Sequence, residues 1–231
     1  MNLFDKVIID FITRNISHSH SFYEIILYIS ENNLLKGGVL ILIIWHLWFK
    51  NTDLLPARRI NIIATLSSVF VAIIISKVIT ALAPFRNRPI LSHEVTFFSF
   101  ETDTSDIDRL SSFPSDHAAL FISLAMGIFF VSKRAGIFAL LYTCLVILAP
   151  RVYLGYHYPT DIIAGGVIGV VVGVIFNKWK FILNRVSKTV ITFSEKFPHW
   201  FYSLFFLISF EIAVMFKDVR EFGGFLRYFF S

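Results

Sequence analysis

Three residues that stand close together in this chain, Arg151, His157 and Asp161, are of types that could do chemistry. An arginine is a permanent cation whose planar guanidinium suits the oxygens of phosphate or carboxylate groups. Pro159 is tolerated in a first helical turn, so the spacing predicts a helix that begins there and leaves His157 just outside its N-terminus. Asp161 follows the histidine by four residues, close enough to hold one ring nitrogen while the other reacts. These residues alone fit an interfacial loop with snorkelling side chains equally well.

A second polar loop ends in Ser115, Asp116 and His117, where another apolar run begins. Pro114 predicts a helix start there, and His117 then falls in the first helical turn. Two histidines at two helix N-termini, beside an arginine, favour acid–base and nucleophilic chemistry on an anion.

Further cations lie around a third segment, Arg86 to Pro89, which follows the apolar run 60–83. Lys77 is the one charge within that run, and it either snorkels to the membrane surface or is directed at the same site as Arg86 and Arg88. A phosphoryl group in transfer spreads negative charge over its oxygens, and fixed cations can stabilise that charge without a metal. The sequence shows no cluster typical of a metal site, so we expect neither metal nor cofactor.

The composition is that of an integral membrane protein. Of the 231 residues 56% are hydrophobic, 27 are Phe, and the mean hydropathy is +0.70. Several apolar runs approach the length that crosses a bilayer, which predicts an all-α, polytopic helix bundle. The net charge of +5 could suggest nucleic acid, but the cations lie in loops between apolar runs, where membrane topology explains them better. Cys144 is the single cysteine, so no intrachain disulfide is possible.

We expect one membrane domain over residues 1–231, with an amphipathic interfacial segment at 1–33, a catalytic core at 60–177, and a cytoplasmic linker with the last span at 178–231. Six spans are predicted, at about 34–50, 59–83, 117–132, 136–153, 160–177 and 199–216.

Charge bias between the loops predicts the orientation of the bundle. The loops after the first, third and fifth spans carry ten Lys and Arg residues against two acids, Asp53 and Glu195. The opposite loops are acid-rich, notably the longest one, which includes Glu101, Asp103, Asp106 and Asp108. The basic loops are therefore expected in the cytoplasm, which places the chemical residues at the extracytoplasmic face of what we take to be a bacterial plasma membrane.

Taken together, the three polar segments resemble the three signature motifs of the type 2 phosphatidic acid phosphatase family. This family includes lipid phosphate phosphatases and bacterial undecaprenyl-pyrophosphate phosphatases, and it shares its site with vanadium haloperoxidases. The resemblance covers about residues 60–177. The matching motifs are Lys77 with Arg88-Pro89, Ser112-Phe-Pro-Ser115-Asp116-His117, and Arg151-x5-His157-x3-Asp161.

The resemblance implies a role for each matching residue. It implies that His157 is the nucleophile that forms a phosphohistidine, that Asp161 orients it, and that His117 protonates the leaving oxygen. The residues it implies for holding the phosphoryl oxygens are Lys77, Arg88, Ser115 and Arg151, with a backbone N–H of the second motif, at Asp116.

The chain departs from the family pattern in two places. Ten residues separate Lys77 from Arg88, where the family usually has six, so Arg86 could share the binding role. Asp116 replaces a common Gly, and its carboxylate would repel a phosphate unless it is turned toward a cation. Some bacterial members similar to undecaprenyl-pyrophosphate phosphatases carry the same Ser-Asp-His sequence.

The expected function is hydrolysis of a lipid-linked phosphate or pyrophosphate presented in the outer leaflet, with undecaprenyl pyrophosphate as substrate. The alternatives are a phosphotransferase that passes the phosphoryl group to a glycolipid such as lipid A, a phosphatidylglycerophosphate or phosphatidate phosphatase, and a non-catalytic lipid-phosphate binder or transporter. Binding alone would need the cations but not two histidines, which argues against the last of these.

Overall fold

The computed structural model describes residues 1–16, 19–50, 55–92, 111–179 and 184–219, and within these ranges the regular structure is helical throughout. The all-α prediction is therefore confirmed. The α-helices are α1 Leu3–Asn15, α2 His20–Glu31, α3 Val39–Phe49, α4 Leu55–Leu82, α5 Asp116–Val131, α6 Lys133–Tyr142, α7 Ala149–Tyr153, α8 Pro159–Lys178, α9 Asn184–Lys196 and α10 Pro198–Ala213. Two π-helical segments, Leu34–Gly38 and Thr143–Leu148, lead into α3 and α7, and Pro89–Leu91 is a short 3₁₀ turn.

Three helices are long and apolar enough to cross a membrane: α4, the continuous helix Lys133–Tyr153, and α8. A fourth span is possible if His20–Glu31 and Leu34–Phe49, which meet at 61°, cross together as one broken span. The helix α5 is apolar but has only 16 residues, about 24 Å at the rise of an α-helix. The membrane class of the chain is confirmed, and the count of six spans stays a prediction.

The helix α5 forms the centre of the bundle and is buried all round, from Ala118 to Ala125. Its neighbour α8 carries a glycine on each turn of one face, at Gly165, Gly169 and Gly173. A Cβ atom at Gly169 would stand 2.8 Å from the carbonyl oxygen of Ala119, so only a glycine allows this approach. Small residues at such spacing let helix backbones pack closely in membranes. The close approach brings the N-termini of α5 and α8 side by side.

On its other side α5 packs against α4. The hydroxyls of Ser68 and Ser123 lie 2.9 Å apart across that contact. Farther out, the indole of Trp48 stacks with Phe201 and contacts Phe205, so α10 is held against α3 largely through aromatic rings. The ends of α4, α5, α7 and α8 that carry the polar segments consequently meet at one end of the bundle.

The N-terminal helices cover the flank of that polar end. Phe4, Val7 and Phe11 on α1 are exposed, as expected for an amphipathic interfacial helix, whereas Asp5 is fully buried. Tyr23 on α2 packs against Leu154 and Tyr156 of the turn before α8. The described part of residues 1–33 thus forms helices with an exposed apolar face, as predicted. The burial of Asp5 was not expected from the sequence pattern.

Some residues used to predict the orientation fall outside the described ranges. These are Asp53 and Lys180 from the basic loops and the acids Glu101, Asp103, Asp106 and Asp108.

Candidate active site

The three polar segments converge on one site and are joined by backbone hydrogen bonds. The N–H of Ser112 donates to the carbonyl of Arg86 at 2.9 Å, and the N–H of Ile90 donates to Gly155 at the same distance. The N–H of Ser115 donates to the carbonyl of Asp161 at 3.1 Å. Each of the three segments is thus hydrogen-bonded to another, which brings their side chains to the same end of the bundle.

A tight turn between α7 and α8 places His157. The carbonyl of Arg151 accepts hydrogen bonds from the N–H groups of Tyr156 at 2.9 Å and His157 at 3.2 Å. Gly155 has a φ of 69°, a left-handed conformation that glycine adopts without strain. The helix α8 then begins at Pro159 as predicted, and His157 is left 4% exposed before its N-terminus.

The imidazole of His157 makes its direct hydrogen bond with a backbone carbonyl. Its Nδ1 lies 2.9 Å from the carbonyl oxygen of Ser112, and the nearer carboxylate oxygen of Asp161 lies at 3.8 Å. A carbonyl only accepts, so Nδ1 carries the proton and Nε2 keeps a free lone pair. The ring centroid of His117 is 6.4 Å from that of His157, a separation that leaves room for a reacting group between them.

The environment of His157 favours its neutral form. Burial lowers the pKa of His157, and the charges of Arg88 and Arg151 lower it further. The interaction with Asp161 raises that pKa but does not cancel the decrease. A neutral imidazole with a free Nε2 is the form that can attack phosphorus.

Two guanidinium groups lie beside the histidines, that of Arg151 buried and that of Arg88 half-buried. Arg88 donates to the carbonyl of Tyr156 at 3.2 Å, and Arg151 donates to the carbonyl of Ser30 at 3.0 Å. The Nε atom of each arginine is buried and has no hydrogen-bond partner among the described residues. Burial and the neighbouring charge of Arg151 lower the pKa of Arg88. Buried donors of like charge without partners would be satisfied by a bound anion.

The carboxylate of Asp116 is turned toward a cation, which is the condition under which it could lie near a phosphate. It accepts a hydrogen bond from the hydroxyl of Ser76 at 2.7 Å and forms an ion pair with Lys77. Lys77 and Asp116 lie on the wall of a cavity of about 380 Å³. The other lining residues are apolar, namely Phe70, Ile73, Ile74, Met215 and Phe216.

Ser115 is the N-cap of α5 and is fully buried. Its hydroxyl accepts a hydrogen bond from the N–H of Ala118 at 3.4 Å. Because this cap ends the loop, α5 begins at Asp116, two residues later than the helix start that Pro114 predicted. His117 lies in the first turn as expected.

Arg86 has partners that the sequence did not suggest. Its guanidinium donates to the carboxylates of Asp5 and Asp161 and to the hydroxyl of Thr160, and it stacks on the ring of Tyr158. A phosphate-binding role for Arg86 stays a prediction, and its observed partners are carboxylates.

Sequence reasoning missed the contribution of the N-terminal segment to this site. Lys36 is 8% exposed and, with Arg88 and Arg151, acts electrostatically on His117. Glu31 lies 3.4 Å from the guanidinium of Arg151. The available signal in the sequence was that these charges stand immediately beside an apolar run. Local patterning does not show which distant residues such charges meet. Among the described residues, no group of three His, Cys, Asp or Glu side chains could hold a metal ion.

Comparison with known proteins points to one family. The model of the PAP2 superfamily matches residues 56–185. Undecaprenyl-diphosphatase BcrC of Bacillus subtilis (strain 168) is 26% identical over 78% of this chain and 86% of its own length. Lipid A 1-diphosphate synthase of Escherichia coli (strain K12) is 30% identical over 71% of this chain and 67% of its own. No solved structure matches the chain.

Proposed function

The chain belongs to the PAP2 superfamily, and we propose that it is a membrane diphosphatase that hydrolyses undecaprenyl diphosphate to undecaprenyl phosphate at the extracytoplasmic face. The observation that carries the proposal is the arrangement of four side chains. The rings of His157 and His117 lie 6.4 Å apart beside Arg88 and Arg151, two cations whose buried Nε donors have no hydrogen-bond partner in the described part of the chain. The similarity to a bacterial undecaprenyl-diphosphatase supports the choice of substrate.

In the proposed reaction, Nε2 of His157 attacks the terminal phosphorus of the lipid diphosphate. A P–N bond forms, and the bond from phosphorus to the bridging oxygen breaks. His117, which takes up a proton when the negatively charged diphosphate binds, gives that proton to the bridging oxygen. Arg88 and Arg151 neutralise the charge that spreads over the equatorial oxygens. Water then attacks the phosphorus of the phosphohistidine as His117 takes a proton from it. The P–N bond breaks, which frees Nε2 of His157, and inorganic phosphate leaves.

The surroundings of the site fit a lipid substrate. Lys77 and Asp116 join the polar end of the bundle to the apolar cavity of about 380 Å³. A molecule with a charged headgroup and a hydrocarbon tail can fill both parts at once. Undecaprenyl diphosphate has this character, as do other lipid phosphates.

A phosphotransferase is the second candidate function, and the similarity to lipid A 1-diphosphate synthase favours it. The same phosphohistidine would form, but a glycolipid phosphate would take the place of water in the second step. The two functions therefore differ only in the acceptor.

The test is phosphate release by the purified full-length protein from undecaprenyl diphosphate, compared with a panel of lipid monophosphates. We expect one phosphate per lipid without any added acceptor. His157→Ala should abolish release while the protein still inserts, and His46→Ala, at an exposed histidine, should leave it unchanged. Wild-type turnover by His157→Ala would contradict the mechanism, and transfer seen only with a glycolipid present would favour the second candidate.

Metal removal is an independent test of the proposed charge stabilisation. Because fixed cations neutralise the phosphoryl oxygens here, phosphate release should persist in EDTA. Vanadate should inhibit it, since vanadate imitates the five-coordinate phosphoryl group. Complete loss of activity in EDTA that a divalent ion restores would contradict this reading of the site.

A further inference from the structure

Asp5, on the first turn of the N-terminal helix α1, is a fully buried acid with a complete set of partners. One of its carboxylate oxygens accepts the backbone N–H of Thr160 at 2.9 Å. The other accepts the hydroxyl of Thr160 at 2.7 Å and Arg86 at 2.7 Å. A buried carboxylate is tolerated only with such hydrogen bonds and a counter-charge, so this arrangement is a built site and not a chance contact.

The contact with Thr160 fixes the start of α8. Thr160 is the second residue of that helix, and its N–H is one of the donors that a helix leaves unsatisfied at its N-terminus. Tyr158, at the N-cap, has no side-chain acceptor of the usual kind. Asp5 supplies the acceptor from another helix and adds a negative charge at the positive end of the helix dipole.

Arg86 connects Asp5 to the residue beside the nucleophile. One end of its guanidinium binds Asp5, and the other donates to Asp161 and to the hydroxyl of Thr160 at 2.9 Å. The Cζ atom of Arg86 lies 3.9 Å from the centroid of the ring of Tyr158. The second oxygen of Asp161 accepts the N–H of Tyr158 at 2.8 Å and faces Nδ1 of His157. A continuous chain of contacts therefore runs from Asp5 through Arg86 and Asp161 to His157.

We infer that Asp5 is a positioning residue for the His157–Asp161 pair and acts on it through Arg86. The inference rests on the proposed function of His157 as nucleophile. Asp5 lies outside residues 56–185, the part of the chain that the superfamily model matches, so this contribution comes from the chain's own N-terminal helix.

The physical reason is charge balance around Asp161. With Asp5 present, Arg86 stands between two carboxylates, and the three groups together keep one negative charge for His157. Without Asp5, the whole positive charge of Arg86 is left to Asp161, and the support that Asp161 gives to the imidazolium formed during the reaction decreases. The other charged or titratable groups that face His157 are Arg88, Arg151 and His117, which Asp5 does not contact.

The test compares Asp5→Asn with a matched variant on the same helix, Asp10→Asn. Asp10 is partly exposed and pairs only at 3.8 Å with Arg14, so its loss removes the same charge without touching Arg86. We expect Asp5→Asn to lower kcat by about tenfold or more with little change in KM, by analogy with the losses seen when groups that orient a metal-bound histidine are removed. The acid limb of its pH–rate profile should move to lower pH, while Asp10→Asn should behave like the wild type.

Neutralising the two charges singly and together separates a positioning role from a merely structural one. Arg86→Gln leaves the carboxylates of Asp5 and Asp161 without their shared cation and should move the acid limb to higher pH. The double variant Asp5→Asn/Arg86→Gln restores one negative charge and should return the limb to the wild-type position, even where kcat stays low. If Asp5→Asn alone does not fold, Arg86→Gln and the double variant carry the same test.

The inference would be overturned if Asp5→Asn left both kcat and the acid limb of the pH–rate profile unchanged. It would also be overturned if kcat fell but the acid limb stayed in place in all three variants. NMR titration of nitrogen-labelled histidine side chains in the full-length protein gives the position of the His157 transition without any substrate. If the wild type releases no phosphate, the proposed function fails, while this titration still decides whether Asp5 acts on His157.

Discussion

His157 is surrounded by two kinds of groups that act in opposite directions on its proton. Burial, Arg88 and Arg151 lower its pKa, and Asp161 raises it. The net decrease keeps the imidazole neutral near neutral pH, and the proton on Nδ1 is held by the carbonyl of Ser112. The ring is thus held by one backbone oxygen, and charges on three segments of the chain shift its pKa.

The pH dependence of turnover follows from this balance. We expect kcat/KM to rise with pH through a limb whose pKa lies below the ordinary value for histidine, because the site must lose a proton from His157 before it can react. Asp161→Asn removes a charge that raises this pKa, so the limb should move to still lower pH while kcat falls. The measurement is a pH–rate profile of both proteins, and a limb that moves upward in Asp161→Asn would contradict the assignment.

The same comparison needs a control for histidines that titrate elsewhere. His46 is exposed and is not among the groups that act on His157. Its substitution by Gln should leave the limb in place.

At the scale of the helices, the site depends on how closely α8 approaches α5. Gly165 makes this plain, since a Cβ atom there would stand 2.2 Å from the carbonyl oxygen of Ser115. The next two glycines of the stripe, Gly169 and Gly173, meet α5 one and two turns farther along. Backbone contact between α5 and α8 therefore sets the distance between their N-termini. His117 lies in the first turn of α5, and Asp161 lies in the first turn of α8.

A matched pair of alanine variants tests this packing. Gly169→Ala would place a Cβ atom 2.8 Å from the backbone of α5, and overpacking of this kind costs about 1–3 kcal/mol of stability. Gly166→Ala meets nothing within 4 Å and should be neutral or slightly stabilising, because alanine favours the helix. Loss of helical circular dichroism on heating in detergent measures both, and equal melting of the two variants would contradict a role for the stripe.

At the scale of the whole molecule, the polar ends of four helices lie together at one end of the bundle. The N-terminal helices close the flank of that end, where Asp5 contacts α8 and Ser30 contacts Arg151. The segment expected to lie only at the membrane surface thus also completes the candidate site. Its exposed apolar residues, Phe4, Val7 and Phe11, also suit contact with the membrane surface.

Orientation in the membrane is the prediction that belongs to this scale. Lys and Arg bias assigns the basic loops to the cytoplasm, so the site should face outward. In a Cys144→Ser background, Asn87→Cys beside the site should react with a membrane-impermeant thiol reagent in intact cells. Lys188→Cys on α9 should react only after lysis. Both positions are exposed in the structure, and the opposite labelling pattern would place His157 in the cytoplasm.

The sequence by itself determined the class of the protein and the local placing of its candidate site residues. Composition and long apolar runs predicted an all-α membrane protein. The start of α8 at Pro159, the placing of His157 before it and of His117 in the first turn of α5 also followed from local rules. These features depend on residues within a turn or two of each other, where spacing fixes geometry.

The tertiary structure alone decided which distant groups those residues meet. Asp5 and Thr160 are 155 positions apart, and Arg86 and Asp161 are 75 apart, so no periodicity relates them. The carbonyl of Ser112 could not be foreseen as the partner of His157, because every residue carries such a carbonyl. Which pairs form depends on how the helices pack, and that is the sum of many weak contacts, such as those along the glycine face of α8, whose result no short stretch of sequence contains.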